Sequence, residues 1–435
     1  MAGGQIGIGV IGLGTVGGGV VELLREKAGE LSAAVGAELR IVRAADLEPA
    51  RATELGLGDE VFTTEAWSVV HDREVDIVVE LIGGLSPARE LVVGAIEAGK
   101  QVVTANKALL ASHGAEIFAL ARERGVGIGY EASVGGGIPL IRALREGLIA
   151  NRITRALGIL NGTCNYILTE MTARGADFAD VLAEAQRKGY AEADPSFDVE
   201  GTDTAHKLAI VAALASGAHP RLEDIYVEGI TALSPVDIHY AQEFGFCVKL
   251  LAIFSQDESQ IHARVHPALV PQDHPLAAVQ GPFNALFLEG DWVGPVLLYG
   301  QGAGRRPTAS AVVGDIVELA REVATGCTGR LPPLGTASPS RTPLVLAPME
   351  EVLCQYYFRF MAADRPGVLA AISRVLGAHR ISIKAVIQKG RRSQGPVPIV
   401  MLTHEAPEAA VRKALREIDA LEVIAAPTVM LRVVS

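Results

Sequence analysis

The sequence predicts an α/β protein of three folded parts: a parallel-sheet domain, an α+β domain and a small C-terminal domain. Short apolar strands alternate with amphipathic helices over residues 1–130, which is typical of βαβ units. Residues 131–327 mix helices with alternating strand patterns, and a helix at 309–323 is expected to return to the first domain. A proline-rich linker, 328–352, precedes a βαββαβ pattern at 353–435, the order of a ferredoxin-like fold.

The individual elements follow from apolar periodicity and from the glycines and prolines that bound them. In the strand predicted at 75–82, residues 77–79 (Ile-Val-Val) form a continuous apolar run, as expected when helices cover both faces of a parallel sheet. Over 225–298, alternating residues between turns predict a mixed sheet. The strands are predicted at 5–11, 39–45, 75–82, 101–104, 356–361, 381–388, 398–403 and 423–433, and the helices at 16–27, 87–99, 109–124, 140–147, 178–188, 309–323, 368–378 and 406–418.

Composition excludes several classes of protein. The 435 residues carry a net charge of -11 without a dense basic run, which argues against a nucleic-acid partner. The four cysteines form no CxxC pair, so neither a zinc site nor a redox dithiol is expected. The N-terminus lacks the pattern of a signal peptide, and no apolar run is long enough to cross a bilayer. A cytoplasmic protein without a membrane partner is therefore expected.

A glycine motif stands between the first strand and the first helix. It consists of Gly12, Leu13, Gly14, Thr15, Val16 and Gly17. Gly12 permits the tight turn, Gly14 lets the backbone approach a pyrophosphate, and Gly17 allows close packing of helix on strand. The helix N-terminus adds amide donors for the phosphates. The context predicts a Rossmann-type dinucleotide site, and the alternative is a glycine-rich turn without a ligand.

The residues after the second strand bear on the choice of cofactor. Asp46 is placed to bind the adenosine ribose, although it lies further from the glycines than is usual. Arg43 and Arg51 are close in sequence and could bind a 2′-phosphate instead. The choice between NAD and NADP is therefore open.

Two further segments carry candidate polar groups. Thr104, Ala105 and Lys107 directly follow a strand, where ligands of open α/β sheets bind, so we expect them beside the cofactor. Asp203 and Lys207 are spaced i, i+4 on one helical face, after a loop with several acids. The pair could be an ordinary salt bridge. Alternatively, the lysine could act on a hydroxyl proton while the acids, among them Glu192 and Asp198, hold a substrate ammonium.

The glycine-rich segment 131–139 has two readings. Its carbonyl groups and Glu131 could coordinate a hard cation. The commoner explanation is a tight turn before a helix that Pro139 opens.

These pieces occur in the order found in homoserine dehydrogenases, which the chain resembles over nearly its whole length. The matching segments are IGLGTVGGGV, VELIGG, TANKALLA, YEASVGGGIP, LNGTCNYIL, GYAEADPSFDVEGTDTAHKL and DRPGVLA. The resemblance implies an NAD- or NADP-dependent interconversion of L-homoserine and L-aspartate 4-semialdehyde. It implies that Lys207 donates the proton in aldehyde reduction, with Asp203 as its partner. It further implies that Lys107 lies at the cofactor and that Glu192 binds the substrate's amino group. It also implies a structural sodium ion, bound by Glu131, Val134, Gly136 and Ile138.

Two positions depart from the family pattern. Many members have arginine where this chain has Ala45, and its absence favours NAD over NADP. Cys164 replaces a threonine, and it is either a thiol sensitive to oxidation or, more commonly, an inert buried residue.

The C-terminal segment with DRPGVL resembles an ACT domain. The resemblance implies that Asp364, Gly367 and Val368 help bind a small amino acid, with L-threonine as the effector, in a homodimer or homotetramer. The alternative is an ACT domain that serves only dimerisation. Two rival functions are a non-catalytic amino-acid sensor, which needs no proton donor, and an aspartate-semialdehyde dehydrogenase, which needs a nucleophilic cysteine with a histidine base.

Overall fold

The computed structural model describes residues 4–336, 344–389 and 395–434. Part of the predicted linker, 337–343, lies outside the described residues. None of the helices in the described ranges is both long and apolar enough to span a membrane.

The first domain is a six-stranded parallel sheet in the order β3-β2-β1-β4-β5-β6. Its elements are β1 (Gln5–Ile11), α1 (Thr15–Glu26), α2 (Ala28–Val35), β2 (Glu38–Ala45), α3 (Pro49–Glu54), β3 (Phe62–Thr63), α4 (Ala66–His71), β4 (Ile77–Glu80), α5 (Ala88–Glu97), β5 (Gln101–Thr104), α6 (Lys107–Arg124) and β6 (Ile128–Gly129). All four residues of β4 are buried, which its apolar run predicts for Ile77, Val78 and Val79 but not for Glu80. The carboxyl ends of β1, β4 and β5 meet at one edge, which positions the site described below.

The second domain places helices against an antiparallel sheet in the order β12-β11-β7-β9-β10. Its elements are α7 (Leu140–Arg142, continued by a π turn to Gly147), β7 (Ile153–Ile159), α8 (Gly162–Arg174), α9 (Phe178–Arg187), α10 (Ser196–Val199), α11 (Thr202–Ser216), β8 (Tyr226–Val227), α12 (Pro235–Glu243), β9 (Phe246–Gln256), β10 (Gln260–Pro271), β11 (Phe283–Gly290), β12 (Gly294–Gln301) and α13 (Arg305–Thr325). The helix α13 packs on α1, which confirms the predicted return.

One element within the predicted sheet is a helix. Sequence analysis expected only strands and turns over 225–298, and α12 makes that expectation wrong for this stretch. The signals were present: Ser234 caps the helix by accepting from the Asp237 amide at 3.4 Å, and proline occupies the first helical position. The cap and proline outweigh the short-range alternation.

The C-terminal domain has the predicted βαββαβ order, with α14 and α15 on one face of its strands. Its elements are β13 (Val345–Leu346), β14 (Leu353–Ala362), α14 (Val368–Ala378), β15 (Ile383–Gln388), β16 (Val397–Thr403), β17 (Ala406–Pro407), α15 (Glu408–Asp419) and β18 (Ile424–Val433). The strand order is β18-β14-β16-β15.

The second and third domains share one sheet, so the linker separates them in sequence and not in space. Strand β18 pairs in parallel with β10, matching Ala268 with Arg432 and Leu269 with Val433. Strand β13 of the linker also pairs with β10. Tyr357 and Leu431 belong to the same apolar core as the helices of the second domain. The C-terminal domain is therefore continuous with the sheet and the apolar core of the second domain.

Candidate active site

The glycine loop has the backbone geometry that its motif predicts. Gly12 has φ of +97°, and a Cβ there would lie 2.9 Å from the Leu81 carbonyl. A Cβ on Gly17 would lie 1.9 Å from the Gly12 carbonyl oxygen, so helix and strand approach as closely as glycine allows. At Gly14 the nearest atom would be 3.8 Å away, which leaves room for a ligand to approach the backbone.

The loop opens on a cavity of about 460 Å³, bounded by the ends of β1 and β2 and by Arg51. Asp46 accepts hydrogen bonds from the amides of Leu13 at 2.6 Å and Glu48 at 2.9 Å, and it lies 3.3 Å from Arg51. Burial alone would raise the pKa of Asp46, but these amides and Arg51 outweigh burial and lower it. The carboxylate is thus charged and fixed at the loop. The cavity, the open Gly14 and the helix N-terminus fit a dinucleotide.

Arg43 does not belong to this cavity. Its guanidinium pairs with Asp72 at 2.9 Å and donates to the Glu60 carbonyl at 3.2 Å. The sequence suggested Arg43 as a 2′-phosphate ligand because it is close to Asp46 in the chain. Successive residues of a strand point to opposite faces, and Arg43 on β2 is directed at Asp72. Of the two arginines, only Arg51 on α3 lines the cavity.

A buried carboxylate that sequence analysis missed supports the loops at this edge. Glu80 accepts from the amides of Ile82 at 2.9 Å and Gly83 at 3.1 Å, and from the Thr104 hydroxyl at 2.6 Å. Thr104 is fully buried and accepts from the Asn106 amide at 3.0 Å. The side chain of Thr104 therefore braces the loop and only its backbone can face a ligand. The sequence signal that could have indicated this role is a glutamate at the end of an otherwise apolar strand.

Lys107, Asp203 and Lys207 come together beyond the end of β5. Asn106 caps α6 by accepting from the Leu109 amide at 3.1 Å, so Lys107 is the first residue of that helix. Asp203 Oδ2 accepts from Lys207 Nζ at 2.7 Å, and Asp203 Oδ1 contacts Lys107 Nζ. Lys207 Nζ also donates to the Leu160 carbonyl at 2.6 Å. Two lysines thus share one carboxylate.

The electrostatics of the cluster differ from those of a surface salt bridge. Asp203 is 2% exposed and Lys207 9% exposed. Burial lowers the pKa of Lys207 below its ordinary 10.5, although Asp203 opposes the shift. Burial alone would raise the pKa of Asp203, but Lys207 and Lys107 outweigh it and hold the pKa low. The buried ammonium can therefore lose its proton more readily than a free lysine, which suits proton transfer.

Asn161 connects the cluster to Asp198. Its Nδ2 donates to Asp203 at 2.9 Å and to Asp198 at 2.7 Å. Its Oδ1 accepts from the Cys164 amide at 2.8 Å, which caps α8. Sequence analysis did not single out Asn161, because an asparagine before a glycine is also typical of turns.

Two candidate residues lie outside this network. Glu192 is exposed, and within the described residues its carboxylate has neither a hydrogen bond nor an ion pair. Cys164 is fully buried, and burial raises the pKa of its thiol. Of the two interpretations of Cys164, the structure therefore favours the inert buried residue. Such a thiol cannot serve as the nucleophile of an aspartate-semialdehyde dehydrogenase.

The segment predicted to bind sodium is a turn stabilised by its own contacts. Both oxygens of Glu131 accept amides, from Ile141 at 2.8 Å and Arg142 at 2.9 Å, so the carboxylate caps α7. The Ile138 carbonyl accepts from the Leu140 amide at 2.7 Å. Two of the four predicted ligands thus accept hydrogen bonds within the chain, and a structural sodium ion stays a prediction from the sequence. The other two are Val134, which is buried, and Gly136, which has φ of +55°.

The predicted effector loop lies at the surface of the C-terminal domain. Asp364 and Gly367 are exposed, and Val368 is buried as the first residue of α14. Gly367 precedes the helix with φ of +93°.

Fold and site together define a nicotinamide-nucleotide oxidoreductase with an ACT domain. The profile for "Homoserine dehydrogenase, NAD binding domain" matches residues 12–131, and that for "Homoserine dehydrogenase" matches 139–317. The profile for "ACT domain" matches 356–423. The chain belongs to the homoserine dehydrogenase family.

Individual relatives agree with this assignment. The homoserine dehydrogenase of Neisseria gonorrhoeae is 46% identical over 430 residues, which cover 99% of each chain. The crystal structure of the Thiobacillus denitrificans homoserine dehydrogenase covers 100% of both chains with 49% identity and a TM-score of 0.94. A hyperthermophilic archaeal homoserine dehydrogenase in complex with NADPH matches 72% of this chain and 97% of its own, with 31% identity and a TM-score of 0.62.

Proposed function

We propose that this protein interconverts L-homoserine and L-aspartate 4-semialdehyde, with Lys207 as the proton donor in the reductive direction. The observation that carries the proposal is the buried Lys207–Asp203 pair beside Lys107, beyond the carboxyl end of β5. The match of the whole chain to the family supports the substrate.

The nicotinamide, when bound, supplies the hydride chemistry at C4 of the semialdehyde. Lys207 stabilises the alkoxide that forms on the carbonyl oxygen and gives it a proton from Nζ. Asp203 orients Nζ at 2.7 Å and keeps the cluster from carrying two uncompensated cations. Lys107 adds a second positive charge near the developing oxyanion.

In the oxidative direction Lys207 must accept the hydroxyl proton, so its amine must be neutral. Because burial lowers its pKa, neutral amine forms at lower pH than in a free lysine. Oxidation is therefore favoured as pH rises.

Carboxylates of the loop before α11 are proposed to hold the substrate. Glu192 has no partner within the described residues, so its carboxylate is free to pair with the α-ammonium. Asp198 already accepts from Asn161 at 2.7 Å and from the Thr163 hydroxyl at 3.1 Å. It can take part in substrate binding while it keeps Asn161 in place.

The proposed cofactor is NAD rather than NADP. The charged Asp46 at the glycine loop repels a 2′-phosphate, and Ala45 offers it no hydrogen bond. Arg51 is the opposing feature, because it lies at the rim of the same cavity.

For the C-terminal domain we propose feedback inhibition by L-threonine through the loop with Asp364, Gly367 and Val368. The match to an ACT domain supports an amino-acid effector. A homodimer or homotetramer, a cytoplasmic location and a place in threonine, methionine and isoleucine biosynthesis remain predictions from sequence.

The test follows the ultraviolet absorbance of reduced nicotinamide as purified protein is mixed with L-homoserine and either cofactor. We expect reduction of the cofactor that depends on homoserine. A chain that reduces neither cofactor with homoserine, but oxidises aspartate semialdehyde with phosphate, would overturn the proposal.

A further inference from the structure

A second cavity lies between the catalytic domain and the segment that leads into the ACT domain. Its volume is about 410 Å³. Strands β8 and β10 form one side, and residues 347–352 form the other. It lies apart from the glycine loop, from Asp203 and Lys207, and from the loop with Asp364.

Arg264 on β10 lines this cavity, and its side chain is partly exposed. Its Nε is shielded from solvent and has no hydrogen-bond partner among the described residues. The guanidinium of Arg264 forms no ion pair with any of the residues that the structure describes. Burial lowers the pKa of Arg264 to about 10, and Arg432 adds repulsion. A partly buried guanidinium that lies beside a second cation, and has no acidic partner among the described residues, favours binding of an anionic group.

The acids nearby are committed to other arginines. Arg432 pairs with Glu408 at 2.6 Å and with Glu228 at 2.9 Å. Arg412 also pairs with Glu408, at 2.8 Å. These pairs link β18 and α15 of the ACT domain to the segment after β8, and they leave Arg264 alone at the cavity.

The rim of the cavity is negative. It carries Glu223, Asp224 and Glu350. Glu223 and Asp224 both form ion pairs with the exposed Arg221, at 2.8 and 2.7 Å. A phosphate or a dicarboxylate would meet repulsion at this rim before it reached Arg264. A zwitterion fits better, because its carboxylate can bind the inner guanidinium while its ammonium stays at the acidic rim.

The cavity wall is in contact with the start of the catalytic helix. A Cβ on Gly201, the residue before α11, would lie 3.1 Å from Val227 and 3.3 Å from Val265. The Ile230 amide donates to the Val199 carbonyl at 2.8 Å. A ligand that shifts β8 would therefore displace the turn from which Asp203 and Lys207 project.

We propose that this cavity is a binding site for a small α-amino acid, which Arg264 holds by the carboxylate, and that its occupancy changes the position of α11. The proposal goes beyond the function proposed above, since it concerns a different site from the loop with Asp364.

The test uses the full-length protein with saturating L-homoserine, so that the catalytic site is blocked. Thermal shift with each protein amino acid in turn identifies a binder, and calorimetry measures its Kd. We expect Arg264→Met to weaken binding about tenfold or more, since an ionic hydrogen bond is lost. Glu350→Gln should weaken it by less, and the α-amide of the same amino acid should not bind.

The matched control is Asp364→Asn, which should leave the Kd unchanged for any amino acid other than L-threonine, whose binding is proposed for the loop with Asp364. Equal affinity of the wild type and Arg264→Met, loss of binding in Asp364→Asn alone, or no binding by any amino acid would each overturn the proposal.

A second measurement addresses the fold. Without ligand, Arg264→Met should keep or raise the Tm, because it removes a cation that Arg432 repels, and its homoserine turnover should equal the wild type. A lower Tm with dissociation in light scattering would show that the guanidinium pairs with a second copy of the chain, and would overturn the proposal. Absence of homoserine oxidation in the wild type would instead refute the proposed function alone.

Discussion

Lys207→Met tests the proposed proton donor most directly. Lys207 Nζ has three hydrogens, of which Asp203 accepts one at 2.7 Å and the Leu160 carbonyl accepts another at 2.6 Å. The third remains for a substrate oxygen. Because methionine has a similar length and no proton, the variant removes the transfer while it fills the same space.

The expected loss is in kcat and not in the fold. A single general acid contributes about 10²–10⁴ in rate, so kcat should fall by that factor. Asp203 keeps Asn161 at 2.9 Å and its contact with Lys107, so no carboxylate is orphaned. The Leu160 carbonyl loses its donor, which costs about 1–3 kcal/mol of stability. The Kd of the cofactor should not change, since the glycine loop is untouched.

The assay combines steady-state kinetics, cofactor titration by fluorescence and the Tm. Lys249→Met is the matched control, because Lys249 is also buried, donates to Asn165 at 3.0 Å, and makes no hydrogen bond or ion pair with Asp203, Lys107 or Lys207. It should lower the Tm and leave kcat close to the wild type. A kcat of Lys207→Met within a few-fold of the wild type, or an equal loss in Lys249→Met, would refute the role of Lys207.

Three further predictions concern the same site. Glu192→Gln should raise the KM for homoserine and leave the KM for the cofactor unchanged, because an amide pairs more weakly with an ammonium; equal changes in both would indicate a general defect. NAD should give the higher kcat/KM, and Arg51→Ala should widen the difference from NADP; a clear advantage for NADP in the wild type would show that Arg51 outweighs Asp46. The rate of homoserine oxidation should rise with pH through an apparent pKa below 10.5, while the rate of reduction falls. The reason is that burial lowers the pKa of Lys207 and that oxidation needs its neutral amine. A rise that persists in Lys207→Met would assign the titration to another group.

Local signals predicted the first domain well. The strands β1, β2, β4 and β5 and the helices α1, α5 and α6 follow from apolar periodicity and from glycines with positive φ. The short helices α2, α3 and α4 and the two-residue strands β3 and β6 were not predicted. Asp203 and Lys207 also could be paired from sequence, since i, i+4 spacing fixes their proximity on a helix.

Contacts between distant segments could not be predicted in this way. Glu80 meets Thr104, and Asn161 meets Asp203, across sequence separations that no helical or strand period encodes. The direction of Arg43 depends on strand register, which its nearness to Asp46 in sequence does not reveal. Pairing of β10 with β18 joins Ala268 to Arg432 across the proline-rich linker, and no local pattern in the sequence encodes that contact.

The shared sheet makes truncation a poor test of regulation. Removing the chain beyond 344 would uncover the β10 edge and the apolar core around Tyr357 and Leu431, so loss of threonine response could simply reflect a damaged fold. A point variant at the junction is sharper. Asp237 of α12 is fully buried and accepts from Arg359 of β14 at 2.6 and 3.0 Å.

Arg359→Met should destabilise the protein by roughly 3 kcal/mol, because it leaves a buried carboxylate without its cation. The Tyr357 hydroxyl at 3.1 Å and the Ser234 hydroxyl at 2.6 Å still donate to Asp237, which keeps the loss from being larger. Adding Asp237→Asn should recover part of it, and denaturant unfolding of both variants measures the coupling. If the ACT domain acts on α11 through this junction, Arg359→Met should respond to threonine less than the wild type at equal homoserine turnover. Unfolding free energies equal to the wild type would mean that the Asp237–Arg359 pair does not hold the domains together.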